Sequence, residues 1–111
     1  MSSPQKIGTF TIPNGGTDSN WLTKADFGRC RSLSIQCTAA ALTGICTVVT
    51  NTAEDQSGTT TTVQSPPGTD VAIAALKAVP LSGVPFCALR IHSAAAEGAQ
   101  RVFEVWGEVG E

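Results

Sequence analysis

The chain reads as an all-β protein, an antiparallel β-sandwich of about seven or eight strands with a jelly-roll-like or Greek-key topology. Three observations predict this. Short runs alternate apolar and polar residues with a period of two, as strands with one face in a core must. The runs recur every 8–12 residues or so, separated by Gly- and Pro-bearing turns. No long segment carries convincing helical periodicity. At 111 residues the chain is expected to form one domain, long enough to bury roughly two-thirds of its unfolded surface without metal or disulfide staples.

Met1–Gln5 reads as a loose, flexible N-terminal arm, and residues 6–111 as a single domain. Lys6–Ile12 is the first strand, with Ile7, Thr9 and Thr11 opposing Phe10 and Ile12. Pro13-Asn14-Gly15-Gly16 ends it with four turn formers in a row. Thr17–Asp26 is a polar loop with Trp21, Leu22 and Phe27 as apolar anchors, and Ser19 is placed to cap a short helical turn. Arg31–Thr38 alternates cleanly as a strand. Ala39–Gly44 is a turn, though Ala39–Leu42 also suits one turn of helix.

Ile45–Thr52 is a β-branched strand. Glu54–Gly58 forms an acidic hairpin loop, and Thr59–Gln64 is its partner. The stiff β-branched threonines suit an exposed edge strand. Ser65-Pro66-Pro67-Gly68 breaks that strand, because proline supplies no ladder donor. Val71–Val79 fits two periods. Val71, Ile73 and Ala75 alternate, whereas Ala72, Ala75, Leu76 and Val79 have helical spacing. Pro80 and Pro85 leave little room for a helix, so a strand is expected. The chain closes with two alternating runs around a loop of small residues. Cys87, Leu89 and Ile91 share one face of the first run, opposite Ala88, Arg90 and His92. Arg101, Phe103 and Val105 share one face of the second, opposite Val102, Glu104 and Trp106.

Charged residues make up 14% of the chain, against roughly 25% in an average domain. Thr, Ser, Gly and Ala take their place, so the surface is largely neutral and hydroxyl-rich, as suits a chain packed against other subunits. The net charge of −2 and the lack of any basic cluster beyond Arg29-Cys30-Arg31 exclude nucleic acid as a partner. No stretch approaches the roughly 20 apolar residues of a membrane span. The first ten residues lack the apolar core of a signal peptide, so synthesis in a cytoplasm is expected.

The chemistry-bearing residues are few. The four cysteines (Cys30, Cys37, Cys46 and Cys87) match no common zinc spacing. Cys37 and Cys87 read as small buried hydrophobes, with a Cys37–Cys87 contact or disulfide as the alternative. His92 is the sole histidine and has no carboxylate near it in sequence, so an Asp-His-nucleophile arrangement is not visible. Glu54-Asp55 and Glu104/Glu108 are carboxylate pairs, but glycosidase chemistry needs two carboxyls across a cleft, and with five per cent aromatic residues little is available to line one. Gly15-Gly16 and Pro67-Gly68-Thr69-Asp70 lack phosphate-loop spacing and read as turns. Asn14, Asp18, Asn20 and Asp70 suit either turn formation or Ca²⁺ ligation, with turns preferred. No catalytic residue, metal or cofactor is expected. Trp106 is expected to pack inside the sandwich and Trp21 to cover its open end. The alternative makes Trp21, Arg90, His92, Glu104 and Trp106 partner-contact residues, since Trp and Arg anchor many interfaces.

Taken in order, IPNGGTDSNWL, RSLSIQC, ALTGICTVVTN, QSPPGTDVAI and FCALRIHSAAAEGAQRVFEVWGEV resemble small structural proteins of tailed bacteriophages. Leu89-Arg90-Ile91, a small-residue loop and Arg101–Gly107 carry most of the resemblance. It covers most of the chain as an order of strands and turns. It implies a non-enzymatic β-sandwich protein of the virion: a capsid decoration (cement) protein, or a neck or tail component. The implied partners are further copies of the chain, with a trimer preferred, and the major capsid protein. A carbohydrate-binding β-sandwich used in host adsorption is the competing class, and a small hydrolase a distant third.

Overall fold

A computed structural model describes residues 4–23, 30–53, 55–64, 68–81 and 88–109. They form β1 (Pro4–Ile12), β2 (Leu22–Thr23), β3 (Cys30–Cys37), β4 (Cys46–Asn51), β5 (Thr60–Thr62), β6 (Ala72–Ile73), β7 (Ala78–Leu81), β8 (Ala88–Ser93) and β9 (Arg101–Val109). The described residues contain no helix. One sheet has the order β1-β9-β3-β7, the other β2-β8-β4-β5 with β6 also on β4, and every pairing is antiparallel.

This order answers the question of topology. The pairs β1·β9, β2·β8, β3·β7 and β4·β5 are nested like one long hairpin, and successive pairs alternate between the sheets. That is a jelly roll, with β6 as an extra short strand.

The core follows the alternation. Phe10, Ile12, Leu33, Ile35, Phe103 and Val105 point inward from the first sheet, and Cys46, Val48, Leu89 and Ile91 meet them from the second. Phe10 lies directly opposite Phe103 in the β1–β9 register, and both are fully buried. The expected inward faces of the two closing strands are therefore correct for Leu89, Ile91, Phe103 and Val105. Cys37 is buried with a free thiol and does not form the alternative disulfide. Cys87 and Phe27 lie outside the described residues.

Four expectations change. Pro4 and Gln5, placed in the arm, already pair with Glu108 and Gly107. Ser19 caps no helix: its amide donates to Ile91 O at 2.9 Å, and its hydroxyl accepts from Ile91 N at 2.8 Å. Ala39–Leu42 is non-helical. Val71–Val79 is not one strand, because a turn closed by Lys77 N donating to Ala74 O (3.1 Å) separates β6 from β7. That turn carries the chain from one sheet to the other, a change that period counting along a single strand does not reveal.

Pro80 sits inside β7 rather than ending a strand. Cys37 N donates to Lys77 O at 2.9 Å, and counting along the register from that pair turns Val79 and Leu81 towards β3. The Pro80 nitrogen therefore faces the open edge, where a missing N–H costs the ladder nothing and blocks further pairing. The opposite edge of that sheet is also closed. Asn20 accepts from Thr11 N (2.8 Å) and donates to Thr9 O (3.1 Å), occupying β1's outward groups.

In the second sheet, Val63 N donates to Val48 O and Thr52 N to Thr59 O. That spacing turns the backbone groups of Thr60 and Thr62 outward, and Thr60–Thr62 are all exposed. Asn51 organises the neighbouring loop. Its buried amide donates to Gln56 O, Gly58 O and Thr60 Oγ1 and accepts from Ala53 N and Gly58 N.

Phe103→Ala should lower unfolding free energy by about 3–5 kcal/mol, the cost of a large cavity between the sheets. Urea titration measures it; a loss below about 1 kcal/mol contradicts the packing described.

Candidate functional site

Three places gather polar or exposed apolar groups. The first is on the outer face of the second sheet. Arg90 and His92 alternate with the buried Leu89 and Ile91 on β8, so both project outward. The segment before β2 runs along the edge of β8, where Ser93 N donates to Thr17 O at 2.7 Å and Asp18 bridges to His92. This brings Asp18 Oδ1 to 2.7 Å from His92 Nδ1 and 3.6 Å from Arg90 Nε, the latter an ion pair too long for a hydrogen bond. The Arg90 guanidinium lies 4.4 Å from the centre of the Trp21 ring, a cation–π contact. Partial burial opposes the Asp18 charge, but the His92 hydrogen bond, the Arg90 charge and the Thr17 hydroxyl hold its carboxyl below the usual carboxylate value.

Trp21, Arg90 and His92 are thus brought together, around an aspartate that sequence reading did not connect to them. Asp18 is 74 positions from His92, and no local pattern marks the pair. The group is an aspartate-oriented histidine beside an arginine on an indole. Among the described residues, the ring's hydrogen bond is to Asp18, with no hydroxyl or thiol in the position of a nucleophile.

Glu104 and Trp106 lie elsewhere, on the outer face of the first sheet. Trp106 does not pack inside the sandwich. Its alternation with the buried Val105 turns it outward, half-buried between Lys6 and Ser34 on the flanking strands. Its Nε1 donates to Glu104 Oε1 at 3.1 Å, and Lys6 Nζ stands 3.5 Å from Glu104 Oε2. These exposed contacts orient the indole more than they stabilise the fold.

The second place is Glu97, in the loop of small residues between β8 and β9. Its carboxylate is fully buried. Oε1 accepts from Thr43 N and Arg101 Nε (2.9 Å each), and Oε2 from Gly44 N (3.0 Å) and the Ser93 hydroxyl (2.6 Å). All four acceptor positions of the carboxylate are filled. Its backbone binds the turn after β1 as well, through Gly15 N to Glu97 O and Glu97 N to Gly16 O. Burial alone raises its pKa, yet the hydrogen bonds from Ser93, Thr43, Arg101 and Gly44 outweigh it and hold the carboxyl at about 2. Gly44 fits because it lacks a side chain: a Cβ there would stand 2.5 Å from Ala95 N and 2.6 Å from Ser93 Oγ. Glu97 is the lone charge in Ser93–Gln100, which was its only sequence signal.

The third place is apolar and lies next to the second. Ile45 and Leu76 are the exposed large hydrophobic residues, at 69% and 66% exposure. They border a hollow of about 310 Å³ formed by Leu42, Gly44, Ile45 and Ala72–Ala75, with no charged side chain in its lining.

The Asx residues have partners within the chain: Asp18 as above, Asn20 at the β1 edge, and Asp70 accepting from Gln64 Nε2 at 2.9 Å. No group of three metal-ligating side chains occurs among the described residues. Burial pushes the Cys46 thiol up to about 11. No family model, curated protein or solved structure matches the chain.

Two outcomes follow. Glu97 has a folded pKa near 2 against an ordinary 4.5, so its stabilising contribution is full above about pH 4.5 and lost as pH falls through about 2. Glu97→Gln should cost about 3 kcal/mol at neutral pH by breaking this buried charge network. Thermal unfolding from pH 7 to 2 should show the wild type approaching the variant at the acid end. Separately, Cys37 and Cys46 should resist a maleimide at pH 7 in the folded protein and react once unfolded, as read by peptide mass spectrometry.

Proposed function

We propose that this chain is a non-enzymatic structural protein of a tailed-bacteriophage virion, a decoration protein that binds and stabilises the capsid exterior. It is made in the host cytoplasm and incorporated into the particle. Its partners are its own copies and the major capsid protein. The observation that carries this reading is the charge-free flank at β4–β6, where an exposed threonine strand and the apolar Ile45–Leu76 hollow lie along the same side of one sheet. Such a surface gains free energy when covered by another subunit and pays little in desolvated charge.

Three further features favour it. The resemblance to phage structural proteins points to the same class. The jelly roll is a frequent capsid architecture, although fold analogy alone does not define function. The first sheet has closed edges, so the molecule can lie in a crowded shell without indiscriminate strand pairing.

A neck or tail component is the nearest alternative within this class. The carbohydrate-binding reading draws on Trp21, but Arg90 already covers an indole face there, and that leaves less room for a stacked sugar.

In a phage carrying this gene, deletion should leave heads that lose their DNA on heating sooner than wild-type heads, with adsorption unchanged. Mass spectrometry of purified heads should find the chain in many copies. Absence from particles sinks the virion reading; a few copies confined to the neck or tail reassigns its location. Specific binding on a glycan array, abolished by Trp21→Ala, would favour the adsorption module instead.

A further inference from the structure

The turn between β6 and β7 combines two features that disfavour an isolated chain. Leu76 has φ of 58°, the left-handed region in which a Cβ is crowded and glycine or asparagine is preferred. Its side chain is 66% exposed, so no packing within the described fold repays that conformation. Leu76 directly follows Ala75, which lines the neighbouring hollow. Backbone strain maintained at an exposed apolar residue points to a contact that the residue is held ready to make.

We infer that this turn and hollow form a self-complementary contact with a second copy of the chain, related by a two-fold axis. The occupant follows from the arrangement. A protrusion (Leu76, with Ile45 beside it) and a recess (Leu42, Gly44, Ala72–Ala75) share one rim. A two-fold axis through that rim sets each copy's Leu76 over the other's recess, as an isologous interface requires. The recess has no charged lining, so identical surfaces meet without like-charge repulsion. Thr60–Thr62, also uncharged and on the same side of β4, continues the surface towards the rim.

The Glu97 network gives the recess its stiffness. Thr43 and Gly44, which lie between Leu42 and Ile45 in sequence, donate their amides to its carboxylate. The recess wall is thus held in place before any partner arrives, which lowers the ordering cost of association.

This inference names a partner for the surface on which the assembly reading rests, but it is tested on the purified chain, without particles. Light scattering across a concentration series should give a species of twice the chain mass. Ile45→Asp should weaken association by roughly 100-fold or more, since it buries a charge in an apolar contact on both copies. Leu76→Gly should also weaken it, by at least about tenfold, while leaving the thermal midpoint unchanged or higher because φ becomes unstrained. The two variants together separate lost contact from lost fold.

A chain that stays monomeric up to about 1 mM overturns the inference. So does a dimer indifferent to both substitutions, or an assembly of three-fold or open-ended symmetry. None of these results bears on whether the chain is present in heads, and absence from heads would leave a Leu76-dependent dimer intact.

Discussion

A single carboxylate fastens the end of this molecule where the chain crosses between its sheets. A jelly roll changes sheet at nearly every connection, and each crossing leaves backbone amides that no ladder can satisfy. Glu97 accepts amides from the β3–β4 crossing and, through its own backbone, bonds the β1–β2 crossing, while residing in the β8–β9 crossing. Arg101 and Ser93, at the ends of the strands flanking that loop, complete its coordination. Its negative charge is stable in the interior because four donors replace the water it lost. Gly44 is constrained in turn, since any side chain there would drive the amide away from the carboxylate.

The nested pairing explains which surfaces are open. The first sheet ends in β1, whose outward groups are occupied by Asn20, and in β7, whose outward nitrogen belongs to Pro80. One side of the second sheet is lined by the Thr17–Thr23 segment, anchored to β8 through Ser19 and Asp18. The other side, along β5 and β6, lacks these devices and also carries the exposed Ile45 and Leu76. An antiparallel domain that protects some edges and leaves one neutral and partly apolar is suited to meeting a partner there.

Much of the architecture was legible because it is periodic. Alternation placed Phe103, Val105, Leu89 and Ile91 in the core and Arg90 and His92 outside it. The same rule, applied strictly, also places Trp106 outside; the expectation that a large indole must pack inward overrode the pattern and was wrong. Proline as a strand breaker failed at Pro80 for a definite reason, because on an edge the missing donor faces away from the ladder. Trp21, Arg90 and His92 were recognised as a group of interest. Their organising residue, Asp18, was not, because its role depends on a pairing across most of the chain.

Composition, alternation and turn chemistry determined by themselves the class of this protein: all-β, sparsely charged, with strands whose inner faces can be named residue by residue. These are local properties, carried by neighbours within a few positions. Tertiary structure alone decided the strand order, the burial of Glu97 as an ion, the Asp18–His92 pairing and the exposure of Leu76 beside an apolar recess. Each of these depends on which distant segments become neighbours. A buried charge is tolerable, or an exposed leucine informative, only in relation to what the completed fold sets around it.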